Sequence, residues 1–350
     1  MVVQNVREEA DCMNKLDHKK GKSEKRIAQK TGRVRGFSSL FGVHHRSNIA
    51  LARLQDQSRC EIENCSNRTG ARHLLATGSP TLNMVELFAG AGGMGLGFML
   101  AANTHRPLRL VFSGEIHPIY ARTLKANLQL FSRMHEPGAC LLPEDIEPID
   151  LKKENTVEHV ARLASEAGGV HLLIGGPPCQ GFSSANRNSW SSDNPNNYLV
   201  NVFMRYVKKL TPPAFLMENV QGIVWTARNK NSGALSVAEH VSKKMNALGY
   251  LVFPKLLDAV WYGVPQYRTR FFLLGIHRDT GYCRGDFDEW GPFPSPTHGP
   301  SAGRPFVTTR DAIEDLPAIG NGHGQEQMGI IESSSGPGNE FLKIARATYS

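Results

Sequence analysis

From residue 82 onward the chain alternates short apolar runs with longer helix-forming segments, and this alternation limits the possible folds more than any other feature. Strands are expected over 83–88, 109–113, 170–174, 213–217, 250–257 and 270–276. Helices are expected over 94–103, 117–130, 154–167, 198–210 and 234–247. Strand and helix in turn predict an α/β fold, a doubly wound and mostly parallel sheet covered on both faces. Only about 12 residues join the last two strands, too few for a helical crossover, so an antiparallel final strand is expected. Ligands of such sheets bind beyond the carboxyl ends of the strands.

Three segments put chemistry at those ends. Met84-Val85-Glu86-Leu87-Phe88 runs into Ala89-Gly90-Ala91-Gly92-Gly93-Met94-Gly95 and then an apolar stretch. Strand, glycine turn and helix open a nucleotide-type site, because glycines let backbone approach a ligand and a helix N-terminus offers free N–H groups. Gly90 to Gly95 fits G-x-G-x-x-G, which is weak evidence alone. Glu115 stands just past the second strand, where an acid can bind ribose hydroxyls. The third segment is Val170-His171-Leu172-Leu173-Ile174, a buried strand by pattern, followed by Gly175-Gly176-Pro177-Pro178-Cys179-Gln180-Gly181-Phe182-Ser183. Two prolines stiffen the backbone before Cys179, and polar, turn-forming flanks set the thiol near solvent. That is where a positioned nucleophile belongs; a buried structural cysteine is the alternative.

In order, Phe88-Ala89-Gly90-Ala91-Gly92-Gly93, Glu115, Pro177 to Ser183, Glu218-Asn219-Val220 and Gln266-Tyr267-Arg268-Thr269-Arg270 resemble the cytosine-C5 DNA methyltransferase family. The resemblance covers about residues 82–320. It implies a class I, Rossmann-like fold that uses S-adenosylmethionine to methylate carbon 5 of cytosine in DNA. It assigns Cys179 as the nucleophile that adds to carbon 6 and Glu218 as the acid at ring nitrogen 3. Arg270 is assigned to the cytosine carbonyl, with Arg268 in support. Glu218 follows the apolar run that ends at Met217, where partial burial would raise its pKa.

For the cofactor, Phe88, Gly90, Gly92 and Gly93 match the family's binding loop, and Glu115 matches the ribose-binding acid. Asp145 and Ile146 stand where the family carries an acid–apolar pair around adenine, with Glu144 replacing the usual glycine. The resemblance implies that Pro177 and Pro178 line the cavity between methyl donor and base. It implies that Ser183 holds the target phosphate, with Gln180, Asn219 and Gln266 completing the substrate side. No metal is implied. A base inside a duplex cannot show carbon 6 to a thiol, so the cytosine must be flipped out of the DNA at a few kcal/mol.

The family also has a target-recognition region and a closing cofactor segment. Val307 to Pro317 resembles the lead-in to that region, and neither part is found before Ser350. A chain lacking the C-terminal recognition region is therefore expected, either as a truncated gene product or with another chain supplying the rest. Two other readings stay open: a tRNA cytosine-C5 methyltransferase on the same scaffold, and a non-catalytic remnant that binds DNA or cofactor. RNA enzymes with a Thr-Cys nucleophile are disfavoured, since Glu218-Asn219-Val220 is kept and no Thr-Cys pair occurs.

Nearly all of the +8 net charge lies in residues 1–80, most densely from Lys15 to Arg35. Few apolar residues and no clear period there predict disorder. A phosphate-binding arm, a nuclear-import signal and a plain solvated tail all fit this composition. No apolar stretch reaches the ~18 residues of a membrane span. The six cysteines form no C-x-x-C pair, which fits a reduced compartment. Cys60, Cys65 and His73 are too irregularly spaced for a zinc site. The expected organisation is a basic segment (1–80), a catalytic domain (81–290) and a lead-in to recognition (291–350). The expected location is the nucleus in a eukaryote and the cytoplasm otherwise.

Overall fold

The computed structural model describes Leu51, Gln55 and residues 81–135, 137–143, 146–178, 198–224, 236–314 and 316. The chain divides into two units, Met1–Ile62 and Glu63–Ser350. The first contributes only Leu51 and Gln55 to the described residues. The second runs β1 (Leu82–Leu87), α1 (Gly93–Leu100), β2 (Leu108–Gly114), α2 (Pro118–Met134), β3 (Cys140–Leu141), α3 (Glu154–Glu166) and β4 (Leu172–Gly175). It continues through α4 (Tyr198–Leu210), β5 (Ala214–Val220), α5 (Val237–Ala247), β6 (Tyr250–Asp258), β7 (Thr269–His277) and α6 (Thr309–Ile313).

The strands form one sheet in the order β3-β2-β1-β4-β5-β7-β6. β1 pairs in parallel with β2 and β4, and β4 with β5. β7 inserts between β5 and β6, antiparallel to both. This is the doubly wound sheet that the alternation predicts, of the Rossmann-like class the resemblance implies, with the antiparallel last strand expected from the short final connection.

Local sequence explains the elements. α2 starts with Pro118 at its first turn, where a missing N–H is harmless, and buries Ala121, Leu124, Leu128 and Phe131 at helical spacing. Its stripe joins Met84, Met99, Leu110 and Ile174 in an apolar cluster. Elsewhere in the core Phe215 meets both Phe203 and Tyr250 edge-on. The buried Tyr250 hydroxyl is satisfied by donating to the Pro212 carbonyl. Ser236 and Glu239 form a reciprocal cap that starts α5.

Two features depart from the sequence reading. β5 does not end at Met217 but continues to Val220, because β7 pairs with it to the end: Glu218 with Phe272, Asn219 with Phe271 and Val220 with Arg270. Glu218 is thus held inside a strand rather than after one. The two-residue β3, paired with Leu108 and Arg109, is too short to leave a pattern.

At the end of β4, Gly175 pairs with Leu87. A Cβ there would lie 2.6 Å from the Leu87 carbonyl oxygen and 3.0 Å from the Phe203 ring. Gly175→Ala should therefore destabilise the domain by about 1–3 kcal/mol, the usual scale of overpacking. Urea denaturation reads this as a lower midpoint; an unchanged midpoint would mean that β1 and β4 can separate freely.

Candidate active site

The carboxyl ends of β1, β4 and β5 and the start of β7 meet at one cleft of about 620 Å³. Phe88, Ala89, Gly93 and Met94 line it from the β1–α1 turn, and Gly176 from the end of β4. Glu218 lines it from β5, Arg268 from just before β7, and Arg270 and Phe272 from β7. Asp258 contributes from the end of β6 and Tyr262 from the β6–β7 connection. The proposed cofactor loop and the proposed acid–arginine group therefore share one cavity.

The β1–α1 turn is shaped by left-handed backbone. Phe88, Gly90 and Gly92 have φ of 55°, 57° and 88°. Phe88 is one of two non-glycine residues so placed among the described residues, and a bulky side chain is strained in that region. Glu115 secures the turn: its carboxylate accepts the Gly90 N–H at 2.9 Å and the His117 N–H at 2.8 Å. Each oxygen keeps further lone-pair capacity for a ligand hydroxyl. At Gly93, a Cβ would meet no atom within 4 Å, so the missing side chain leaves space in the cleft itself.

Beneath the turn lies Glu86, 1% exposed. It accepts the Gly95 N–H at 2.8 Å and the Ser113 hydroxyl at 2.9 Å. A Cβ on Gly95 would come within 2.5 Å of this carboxylate, so glycine is required for α1 to approach it. Burial pushes the Glu86 pKa from 4.5 to about 7, and the two donated hydrogen bonds pull it part of the way back.

On the other side, Arg270 Nε donates to Glu218 Oε1 at 2.9 Å, with both side chains 25% exposed. Burial raises the Glu218 pKa above the ordinary carboxylate value, while Arg270 and then Arg268 lower it. Gly176 is close enough that a Cβ would lie 3.2 Å from Glu218 Oε2. Asn219, 3% exposed, donates from Nδ2 to the Pro177 carbonyl at 3.0 Å. It thereby ties β5 to the backbone that leads toward Cys179.

The remaining predicted residues scatter. Pro177 is buried and Pro178 exposed, and among the described residues of that segment Gly176 lines the cleft. Ile146 packs in the apolar cluster around β1 and α2. Gln266 is exposed and donates its N–H to the Val264 carbonyl. Asp145, Cys179, Gln180 and Ser183 lie outside the described residues, as does the basic segment apart from Leu51 and Gln55. The sequence reading missed Glu86, Gly176, Asp258 and Tyr262. An acid inside the otherwise apolar run 84–88 was the visible signal for Glu86; Asp258 and Tyr262 depend on contacts that no local pattern encodes.

The raised Glu86 pKa has a signed consequence. Its neutral form is favoured in the folded state, so its contribution is complete below pH 4.5 and is lost as pH rises through about 7. The loss amounts to roughly 3 kcal/mol. Glu86→Gln mimics the neutral carboxyl, so between pH 4.5 and 8 the wild type should lose about that much more stability than the variant. Parallel stability–pH curves would place the titration elsewhere.

Comparison with known proteins gives the family. The profile of the C-5 cytosine-specific DNA methylase family matches residues 82–318. Type II methyltransferase M1.HphI of Haemophilus parahaemolyticus is 33% identical over 243 residues, 69% of this chain and 55% of that protein. Type II methyltransferase M.AgeI of Thalassovita gelatinovora is 32% identical over 255 residues, 67% of this chain and 51% of that protein. The chain thus spans about half the length of these two relatives. Type II methyltransferase M.AquIA of Picosynechococcus sp. is 30% identical over 247 residues, 67% of this chain and 88% of that protein. By the extent of the profile match and the order of motifs around the cleft, this chain belongs to the C-5 cytosine-specific DNA methylase family.

Proposed function

We propose that the chain carries the catalytic machinery that transfers a methyl group from S-adenosylmethionine to carbon 5 of cytosine in DNA. One observation carries the reading: a single cleft joins a glycine turn suited to a nucleoside ligand with a partly buried acid–arginine pair suited to a pyrimidine edge. The residues fit the cofactor. Open space at Gly93 gives a ligand room against the backbone, and Glu115 presents a carboxylate at the end of β2. Phe88, Gly90, Gly92, Gly93 and Glu115 would hold the cofactor, which when bound supplies an electrophilic methyl group.

The chemistry assigned to the chain follows from charge. The Cys179 thiolate bonds to carbon 6 of cytosine, and the displaced ring electrons flow toward nitrogen 3. Glu218, whose burial favours the protonated form, delivers a proton there. Arg270 steadies the carbonyl oxygen, and Arg268 supports it. Carbon 5, made electron-rich by this addition, would take up the methyl group that a cofactor held by Phe88, Gly93 and Glu115 would supply. Loss of the carbon 5 proton to water, return of the nitrogen 3 proton to Glu218 and expulsion of the Cys179 thiolate restore the aromatic ring. Asn219 keeps the segment before Cys179 attached to β5 throughout.

The proposal extends to partners. About half of M1.HphI and of M.AgeI lies outside the match, so sequence recognition is assigned to polypeptide beyond the matched segment. The cytosine is taken flipped from duplex DNA. The basic segment before residue 80 is assigned to phosphate contacts.

Methyl transfer from labelled cofactor to DNA and to tRNA, with and without a candidate recognition chain, tests the reading. Label on DNA cytosine supports it, and label on tRNA alone would replace it with the RNA activity. Glu115→Ala should weaken cofactor binding by about 1–3 kcal/mol, the scale of a lost charge-assisted hydrogen bond. Calorimetry showing unchanged affinity would remove Glu115 from the cofactor site.

A further inference from the structure

We propose that Asp258 is a positioning residue, clipping together the two ends of the β6–β7 connection and so setting Arg268 and Arg270 against Glu218. The inference rests on the proposed reading of Glu218 and Arg270 as the groups that meet the base.

β6 ends at Asp258 and β7 begins at Thr269, and these two residues are paired in register. The chain between them leaves the sheet, first as a tight helical turn over Ala259–Tyr262 and then through Gly263 at φ 84°. Such an excursion needs its ends fastened if the residues leaving it are to hold one position. Asp258 does this from a buried site, 7% exposed. Its Oδ1 accepts the N–H of Val260 at 3.3 Å at the near end and that of Arg268 at 2.9 Å at the far end. Its Oδ2 accepts the Thr269 hydroxyl at 2.7 Å.

The far-end contacts lead directly to the site. Arg268 precedes β7, and its N–H goes to the Asp258 carboxylate. Thr269 is held by its side chain, and its carbonyl accepts from Arg270 Nη1 at 3.0 Å. Arg270 Nε then reaches Glu218 at 2.9 Å. A continuous line of contacts thus runs from Asp258 through Thr269 and Arg270 to Glu218. Asp258 also borders the same cleft.

A carboxylate suits this task because it offers acceptors in two directions and competes as no donor. Asparagine keeps the Oδ1 acceptor, and its amide can donate to the Thr269 oxygen instead. Alanine removes all three contacts.

The test compares Asp258→Ala, Asp258→Asn and Thr269→Val in the full chain, with whatever recognition partner supports activity. Asp258→Ala should lower kcat about 10- to 100-fold, the scale of a small misplacement of reacting groups. Cofactor Kd should stay within about twofold, and Asp258→Asn should recover most of the lost rate. In an Arg268→Ala, Arg270→Ala background, Asp258→Ala should add almost nothing, because its effect passes through those arginines. An equal further loss in that background, or asparagine as damaging as alanine, would overturn the proposal.

A second readout needs no activity: the Glu218 carboxyl titration followed by NMR, assigned with Glu218→Gln. The charged or titratable groups sharing its cleft among the described residues are Glu86, Asp258, Tyr262, Arg268 and Arg270. Arg270 and Arg268 hold the Glu218 pKa down, so loosening them should raise it. Thr269→Val changes no charge and gives the clean reading. An upward shift supports the clip, and an unmoved titration overturns it. A wild-type protein that methylates no cytosine would instead end the functional reading, and the titration would still decide the role of Asp258.

Discussion

The antiparallel pairing of β7 with β5 is the constraint on which the site depends. Its register sets Arg270 opposite Val220. Residues two apart on a strand share a face, so Glu218 becomes the diagonal neighbour of Arg270, within reach of a long side chain. The 2.9 Å contact between them follows from that register. A slip of one residue would turn Arg270 to the opposite face and leave Glu218 partly buried without its cation. The parallel strands alone could place the glycine turn and Glu115, but not this pair.

Of the carboxyl groups that border the cleft, Glu86 and Glu218 sit in different electrostatic settings. Glu86 has only neutral hydrogen-bond donors, from Gly95 and Ser113, and burial carries its pKa to about 7. Glu218 is raised by burial too, but two arginines oppose the rise. Glu86 acts as an internal brace between β1, α1 and β2. Glu218 is held beside cations, with its Oε2 close to Gly176 at the cleft. Separate environments for two acids in one site suit the proposed division, in which Glu86 serves structure and Glu218 chemistry.

Much of this was legible in the sequence where the signal is local. Apolar runs placed six strands to within a few residues, and the short β6–β7 connection foretold an antiparallel end. Glycines after β1 and the acid after β2 could be read because strand, turn and helix follow each other directly. Other features were not legible because they arise from distant contacts. Glu218 and Asn219 look like the end of a strand, since polar residues break the apolar run; only pairing with Phe272 and Phe271 extends β5 through them. The position of β7 between β5 and β6 is likewise a property of the assembled sheet. Asp258 reads as an ordinary strand-terminal acid until its bonds to Arg268 and Thr269 are seen.

On the proposed reading, cytosine is methylated through a covalent bond from Cys179. Its most direct measurement is the reaction of the chain, with labelled S-adenosylmethionine, on DNA carrying 5-fluorocytosine. Fluorine at carbon 5 blocks release, so the account predicts a stable protein–DNA adduct that carries the labelled methyl group. Peptide mapping should place its bond at Cys179, and Cys179→Ser should form none. A methylated DNA product without any adduct, or an equal adduct with Cys179→Ser, would contradict the account.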